Sequence, residues 1–251
     1  MPYVKRARKS ARRPAIRRRR AAPRRMVSNN VKNFVKNTLH RQLENKQYVN
    51  YVASTIISSP YTQSLMPTLV QGTGSSQRMG NKVRIMSSNF RCIVRLNPYN
   101  STLNPNPTPS WVKIFIVSQK IYNLPTFSGT DFFQINNSSQ TFTGQNLDML
   151  FPVNTDVFTV HKTFMFRLGT TSASNNFPGA NTIFDNSVQS KYLNIPLGKY
   201  YKSLKFDDTA SNIPTNHNLW FVIQATPCNS LANGSNQASI DWVLDTRYED
   251  A

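Results

Sequence analysis

Residues Lys82 to Leu96 read K-V-R-I-M-S-S-N-F-R-C-I-V-R-L. In the second half of this stretch Phe90, Cys92, Val94 and Leu96 fall on one side of an extended chain. Asn89, Arg91 and Arg95 fall on the other side, with Ile93 as the exception. A period of two is the signature of a half-buried β-strand. In the first half the apolar positions are Val83 and Ile85, which have the opposite parity. One extra residue near Met86–Ser88 would reconcile the halves, so a β-bulge or bend is expected there.

Strand-like runs continue downstream. Asn97 to Ser110 holds four prolines and four asparagines and reads as a loop. Trp111 to Tyr122 is a nearly continuous run of β-formers, as a core strand is. Asp156 to Leu168 alternates, with Phe158, Val160, Phe164, Phe166 and Leu168 assigned to one face and Lys162 interrupting. Tyr200–Phe206, Leu219–Ala225 and Ala238–Tyr248 complete the set. No helix–strand alternation appears, which argues against a Rossmann-like or α/β-barrel enzyme. The expected class is all-β: two packed antiparallel sheets in a jelly-roll β-sandwich. The loops 97–110, 123–150, 170–190 and 207–217 are longer than a minimal sandwich needs, so they are expected to make lateral contacts between copies.

Charge divides the chain. The net charge is +19 over 251 residues. Residues 1–46 hold sixteen Lys and Arg and one acid, Glu44, giving 16 − 1 = +15; residues 47–251 hold fourteen and ten, giving 14 − 10 = +4. The expected domains are therefore a 1–46 arm and a 47–251 shell. The arm's cations are Lys5, Arg6, Arg8, Lys9, Arg12, Arg13, Arg17, Arg18, Arg19, Arg20, Arg24 and Arg25, with no acid among the first 25 residues. Guanidinium forks suit bidentate phosphate contact and stack on bases. A polyanionic partner follows, and these residues are the candidate nucleic-acid-binding set. A nuclear localisation signal fits the same run.

Residues 28–47 are expected to form a short amphipathic helix. Ser28, Asn29 or Asn30 would cap it, and Val31, Val35, Leu39 and Leu43 recur every four residues beside Phe34. Packing under the shell, phosphate contact and membrane contact all remain open readings for it. No run of eighteen apolar residues exists, so no transmembrane helix is expected.

Chemistry is sparse. His40, His161 and His217 form no HxxxH or HExxH pattern, and Cys92 and Cys228 form no CxxC. Gly72-Thr73-Gly74 lacks the rest of a phosphate loop. Asp207-Asp208 and the group Asp241, Asp245, Glu249 and Asp250 read either as a solvated acidic edge or as a divalent-cation site between subunits. No catalytic residue, cofactor or metal is nominated, and the chain is not expected to be an enzyme.

At Gln71-Gly72-Thr73-Gly74, followed by Gln77-Arg78-Met79-Gly80-Asn81-Lys82-Val83, the sequence resembles the capsid proteins of small circular Rep-encoding single-stranded DNA viruses, the circovirus-like group. Only residues 71–83 are specific; the Arg-rich start, the strand beginning Asp156-Val157-Phe158 and the strand through Trp242, Asp245 and Tyr248 are compatible. The resemblance places this segment just before the first jelly-roll strand. It implies a small icosahedral shell of about sixty copies, a single-stranded DNA genome, nuclear entry through an import receptor, and residence in the virion. Arg78 and Lys82 flank the turn and are candidates for interior nucleic-acid or inter-subunit contacts. The alternatives are an RNA-virus coat of satellite-virus type and a cellular nucleic-acid-binding protein, because phosphate contacts carry no sequence information. Host and receptor are unspecified.

Overall fold

The computed structural model describes residues 28, 30–34, 45–57, 60–97, 108–120, 126–136, 138–169, 190–207, 212–228 and 238–250. The chain divides into two units, Met1–Gln42 and Leu43–Ala251. In the first, residues 30–34 are helical. Ser28 caps this turn, as the sequence suggested: its Oγ accepts from Val31 N (3.4 Å) and its carbonyl from Lys32 N (3.1 Å). Val31 and Phe34 are exposed. The helix does not run to residue 47, because Asn45–Gln47 belong to a β-strand. Residues 35–44, which carry the rest of the apolar stripe, lie outside the described residues.

The second unit is built from strands β1 (Asn45–Ile56), β2 (Tyr61–Ser64), β3 (Lys82–Leu96), β4 (Ser110–Gln119), β5 (Phe133–Ile135), β6 (Ser138–Gln140), β7 (Phe158–Leu168), β8 (Ser190–Pro196), β9 (Ser203–Lys205), β10 (Leu219–Pro227) and β11 (Ala238–Asp250). A 3-10 turn spans Asn146–Met149. The sheet orders are β1-β11-β3-β8, with β9 also on β3, and β2-β10-β4-β7. The antiparallel pairs include β1 with β11, β2 with β10, β3 with β8 and β4 with β7. The chain is thus one long hairpin rolled up, with its two ends paired and each nested pair passing to the other sheet. That is the jelly roll expected from the sequence. Two strands, β1 and β2, precede β3, so the 71–83 segment leads into the third jelly-roll strand rather than the first.

Residue pattern explains the layers. In β3, Val83 and Ile85 are buried, and beyond the switch so are Ser88, Phe90, Cys92 and Val94. The register against β11 slips between Arg247 and Tyr248, which pair with Ser87 and Ile85. Met86 is the extra residue, and the expected bulge is there. β4 and β10 lack alternation because both of their faces are buried. Val112, Ile114, Ile116, Phe221 and Ile223 face the core between the sheets, with Phe90, Ile240, Trp242 and Leu244 from the other sheet. Phe115, Val117, Trp220 and Val222 face a second core on the far side.

That second core corrects the reading of 123–150 as loop. Phe132, Phe133 and Phe142 pack on β4 and β10, with Phe132 and Phe142 stacked at 4.7 Å. Asp148 organises the segment by accepting from Thr143 N (2.8 Å), Thr143 Oγ1 (2.7 Å) and Gly144 N (2.8 Å). β7 also differs from expectation. Its register shifts opposite Ile116/Val117, leaving His161 as the extra residue. Phe158 therefore joins the outer core while Phe164, Phe166 and Leu168 face the inter-sheet core. The interrupting Lys162 marked that bulge.

Candidate nucleic-acid interface

The arm's twelve cations, Lys5 to Arg25, lie outside the described residues. The structure does place the 71–83 segment and the cations of the shell. Gln71 to Gly80 doubles back on itself: Gly72 N donates to Arg78 O (2.8 Å), Arg78 N to Val70 O (2.9 Å) and Gln77 N to Gly74 O (3.0 Å). The Gln77 side chain folds under the loop, where its Oε1 accepts from Gly74 N at 2.9 Å. A Cβ at Gly72 would meet the end of that same side chain, which would have to swing aside and give up its bond to Gly74 N.

Arg78 does not face nucleic acid or a neighbour. It is 0% exposed. Its Nε donates to Leu69 O (3.2 Å), and its Nη1 to Gly80 O (2.8 Å) and Asn81 Oδ1 (3.1 Å). Its guanidinium lies 4.4 Å from the Phe206 ring centroid. A planar cation that satisfies three acceptors and stacks on an aromatic ring is a structural plug. Nearby, Lys46 Nζ donates to Gln77 O (2.8 Å) and pairs with Asp250 (3.3 Å). Asp250 also accepts from Met79 N (2.5 Å) and Gly80 N (3.3 Å). The turn is thereby tied to the first residues of β1 and the last of β11. Lys46, assigned to the arm by charge alone, is a buried residue of the sandwich.

Lys82, by contrast, is exposed at the start of β3. It pairs directly with Lys205 of β9, and Arg84 pairs with Ser203. Like charges directly opposite each other are unfavourable in a sheet. Here Lys82, Arg84 and Lys205 gather on one face beside the Glu249 carboxylate, which pairs with Arg84 at 3.4 Å. An approaching phosphate relieves such a repulsion.

Elsewhere on the sheet two arginines have acidic partners. Arg91 pairs with Asp245 (3.4 Å) and Arg95 with Asp241 (2.6 Å). The acidic group at the C-terminus is thus not a bare acidic edge: Asp241, Asp245, Glu249 and Asp250 each face an Arg or Lys. The partly exposed pairs Arg91–Asp245 and Arg95–Asp241 contribute about 0–1 kcal/mol each. Among the described residues no group of three His, Cys, Asp or Glu converges, and no helix is long and apolar enough to cross a membrane.

One buried polar network links the strands. Tyr201 OH meets Ser88 Oγ (2.8 Å) and donates to Leu65 O (3.2 Å); Ser88 Oγ also meets Thr246 Oγ1 (2.8 Å). Burial pushes the Tyr201 phenol up to about 12, against the opposing pull of its hydrogen bonds, and burial pushes the Cys92 thiol up to about 12. His161 Nε2 meets Ser118 Oγ at 2.7 Å and its ring lies on Tyr200. Burial, then the Lys199 charge, holds its pKa below the usual histidine value. His217 is likewise lowered by burial.

No family model matches the sequence, and no curated protein does. Among solved structures the chain is similar to one of Desmodium yellow mottle tymovirus, with 11% identity, 82% of this chain and 86% of that chain covered, and a TM-score of 0.36. It is also similar to a BFDV capsid protein described as a 60-mer, with 12% identity, 82% and 93% covered, and a TM-score of 0.13. Likeness at this level carries no argument by itself; the jelly roll rests on the strand order.

Proposed function

We infer that this chain is a viral coat protein whose jelly-roll body builds a closed shell and whose Arg-rich arm packages single-stranded DNA. The observation that carries the reading is the segregation of charge: +15 in residues 1–46, against +4 on the 205 that follow. Jelly rolls serve as capsid, lectin and cupin domains, so the fold alone is an analogy. A polycationic arm ahead of such a fold supports the capsid member of that set. The cations of residues 1–25 neutralise phosphate without reading sequence, and the opposed Lys82 and Lys205 offer a further phosphate contact on the body. The DNA assignment, the nuclear phase with import through the basic run, and a shell of about sixty copies rest on the resemblance at 71–83.

The test is to sequence the nuclease-protected nucleic acid from purified particles. A single-stranded DNA circle encoding this chain is the expected result. Protected RNA transfers the assignment to the satellite-virus type of coat. Particles that protect nothing refute packaging.

A further inference from the structure

We propose that β1 is a seam between two copies of this chain, paired antiparallel to itself about a two-fold axis at Asn50. This deepens the coat-protein reading and rests on it for the partner.

Among the described residues the jelly roll leaves five edge strands: β1, β8 and the three-residue β9, which ends on Lys205, in one sheet, and β2 and β7 in the other. Proteins blunt such edges with shortness, lysine or proline, since unpaired N–H and C=O groups invite another chain. β2 is four residues long. β8 carries Lys191 and ends on Pro196. β7 carries Lys162 and Arg167. Between Lys46 and its bulge past Val52, β1 has none of these devices. It is twelve residues long and without Pro or Gly, and its one charge, Lys46, is buried against Asp250. From Gln47 to Gln77 the sequence contains no Asp, Glu, Lys or Arg.

An uncharged edge selects its partner. A polyanion gains nothing from it, and the charged edges β7 and β8 would bury lysine there. The complementary surface on this protein is β1 itself. Pairing centred on Asn50 sets Tyr51 opposite the partner subunit's Val49 on the outer face, and Tyr48 opposite the partner subunit's Val52 on the inner face. Both are aromatic–β-branched pairs, which stabilise antiparallel strands. Val49 is 51% exposed and Tyr51 71% exposed, so both have surface to lose. The seam ends at the bulge between Val52 and Thr55, where Ser54 has φ of 56° and departs from extended geometry. Tyr48–Val52 therefore forms the regular contact, about 17 Å long. A single strand pair of that length does not bury the roughly 1,600 Å² of a standard stable interface. The seam closes as one contact among several in a shell, with the isologous symmetry of a two-fold.

The test uses the full chain carrying Cys228→Ser, with Cys92 buried. Proteins with Val49→Cys and Tyr51→Cys, differently tagged, are assembled together and mildly oxidised. The register predicts at least tenfold more cross-linked pairs in the mixture than in either protein alone, and none with Met86→Cys, an exposed site on β3. Equal or absent cross-linking in the mixture overturns the seam, whether or not shells are seen by microscopy. Cross-links without shells uphold the seam and overturn the coat reading. As a second measurement, the doubly charged variant Val49→Lys/Tyr51→Lys keeps its denaturation midpoint and loses assembly; unchanged assembly contradicts the proposal.

Discussion

Replacing Arg78 with alanine separates two readings of the 71–83 segment. As a nucleic-acid contact, Arg78 would matter for binding and little for stability. As the plug seen here it does the reverse. Its guanidinium serves Leu69 O, Gly80 O and Asn81 Oδ1 and covers Phe206. Hydrogen bonds from a charged group contribute about 1.5–3 kcal/mol each, but the carbonyls left behind recover some solvation through water entering the gap. The cation–π contact adds about 1–2 kcal/mol where desolvated. Allowing for the cost of burying the cation, the net loss is about 3–5 kcal/mol. Trp111, Trp220 and Trp242 lie in strands, so urea unfolding is readable by intrinsic fluorescence. Arg78→Lys is expected to recover little, since an ammonium lacks the planar fork. Arg91→Ala, which breaks a pair with a 46% exposed arginine side chain, should cost under about 1 kcal/mol. If Arg78→Ala unfolds within about 0.5 kcal/mol of the parent, near the error of the method, and loses nucleic-acid binding, the structural assignment is wrong.

Deleting residues 1–25 should remove most nucleic-acid binding and its steep salt dependence while the body stays folded; equal binding by both forms would place the interface on the body. Sixty arms of +14, Lys46 being held in the sandwich, would bring roughly 840 charges against a genome of roughly 1,700 nucleotides or more, so chelation and dialysis of small cations should lower packaging before the body unfolds. Phe132→Ala should cost about 3–5 kcal/mol, because 123–150 closes a second core; a change under about 1 kcal/mol would return that segment to the status of surface loop. Gly169→Ala should destabilise by about 2–4 kcal/mol, since φ is +98° and a Cβ would lie 2.8 Å from Pro109 Cα. Tyr201 and Cys92 have folded pKa values raised to about 12. Their contribution to stability is whole below the unfolded pKa and lost as pH rises through the folded one. A thiol reagent at about pH 8 should therefore find only Cys228 in the native protein and both cysteines after denaturation.

The sequence made β3 legible down to its bulge because one face is wet and the other dry, so the parity switch at Met86 shows in the residue types. β4 and β10 were legible as strands but not as two-faced ones, since a run such as Val112–Val117 does not announce what covers its far side. The Phe residues at 127, 132, 133 and 142 were the available signal for that cover. They sit among Ser, Thr, Gly and Asn without a period. β1 was not read as a strand at all: Lys46 reads as part of the basic arm, and only its contact with Asp250, 204 residues away, makes it a core residue. Arg78 was misread for a similar reason: two of its partners are backbone carbonyls, which no residue type reveals. The arm was legible as charge alone, and charge is what its proposed role requires.

The most direct measurement is electron microscopy of the purified full-length chain together with its nucleic acid, before and after nuclease. Closed shells of one uniform diameter, with nucleic acid that survives digestion, are what the account predicts. A chain that stays monomeric with and without single-stranded nucleic acid, at concentrations where its arm is saturated, would contradict it.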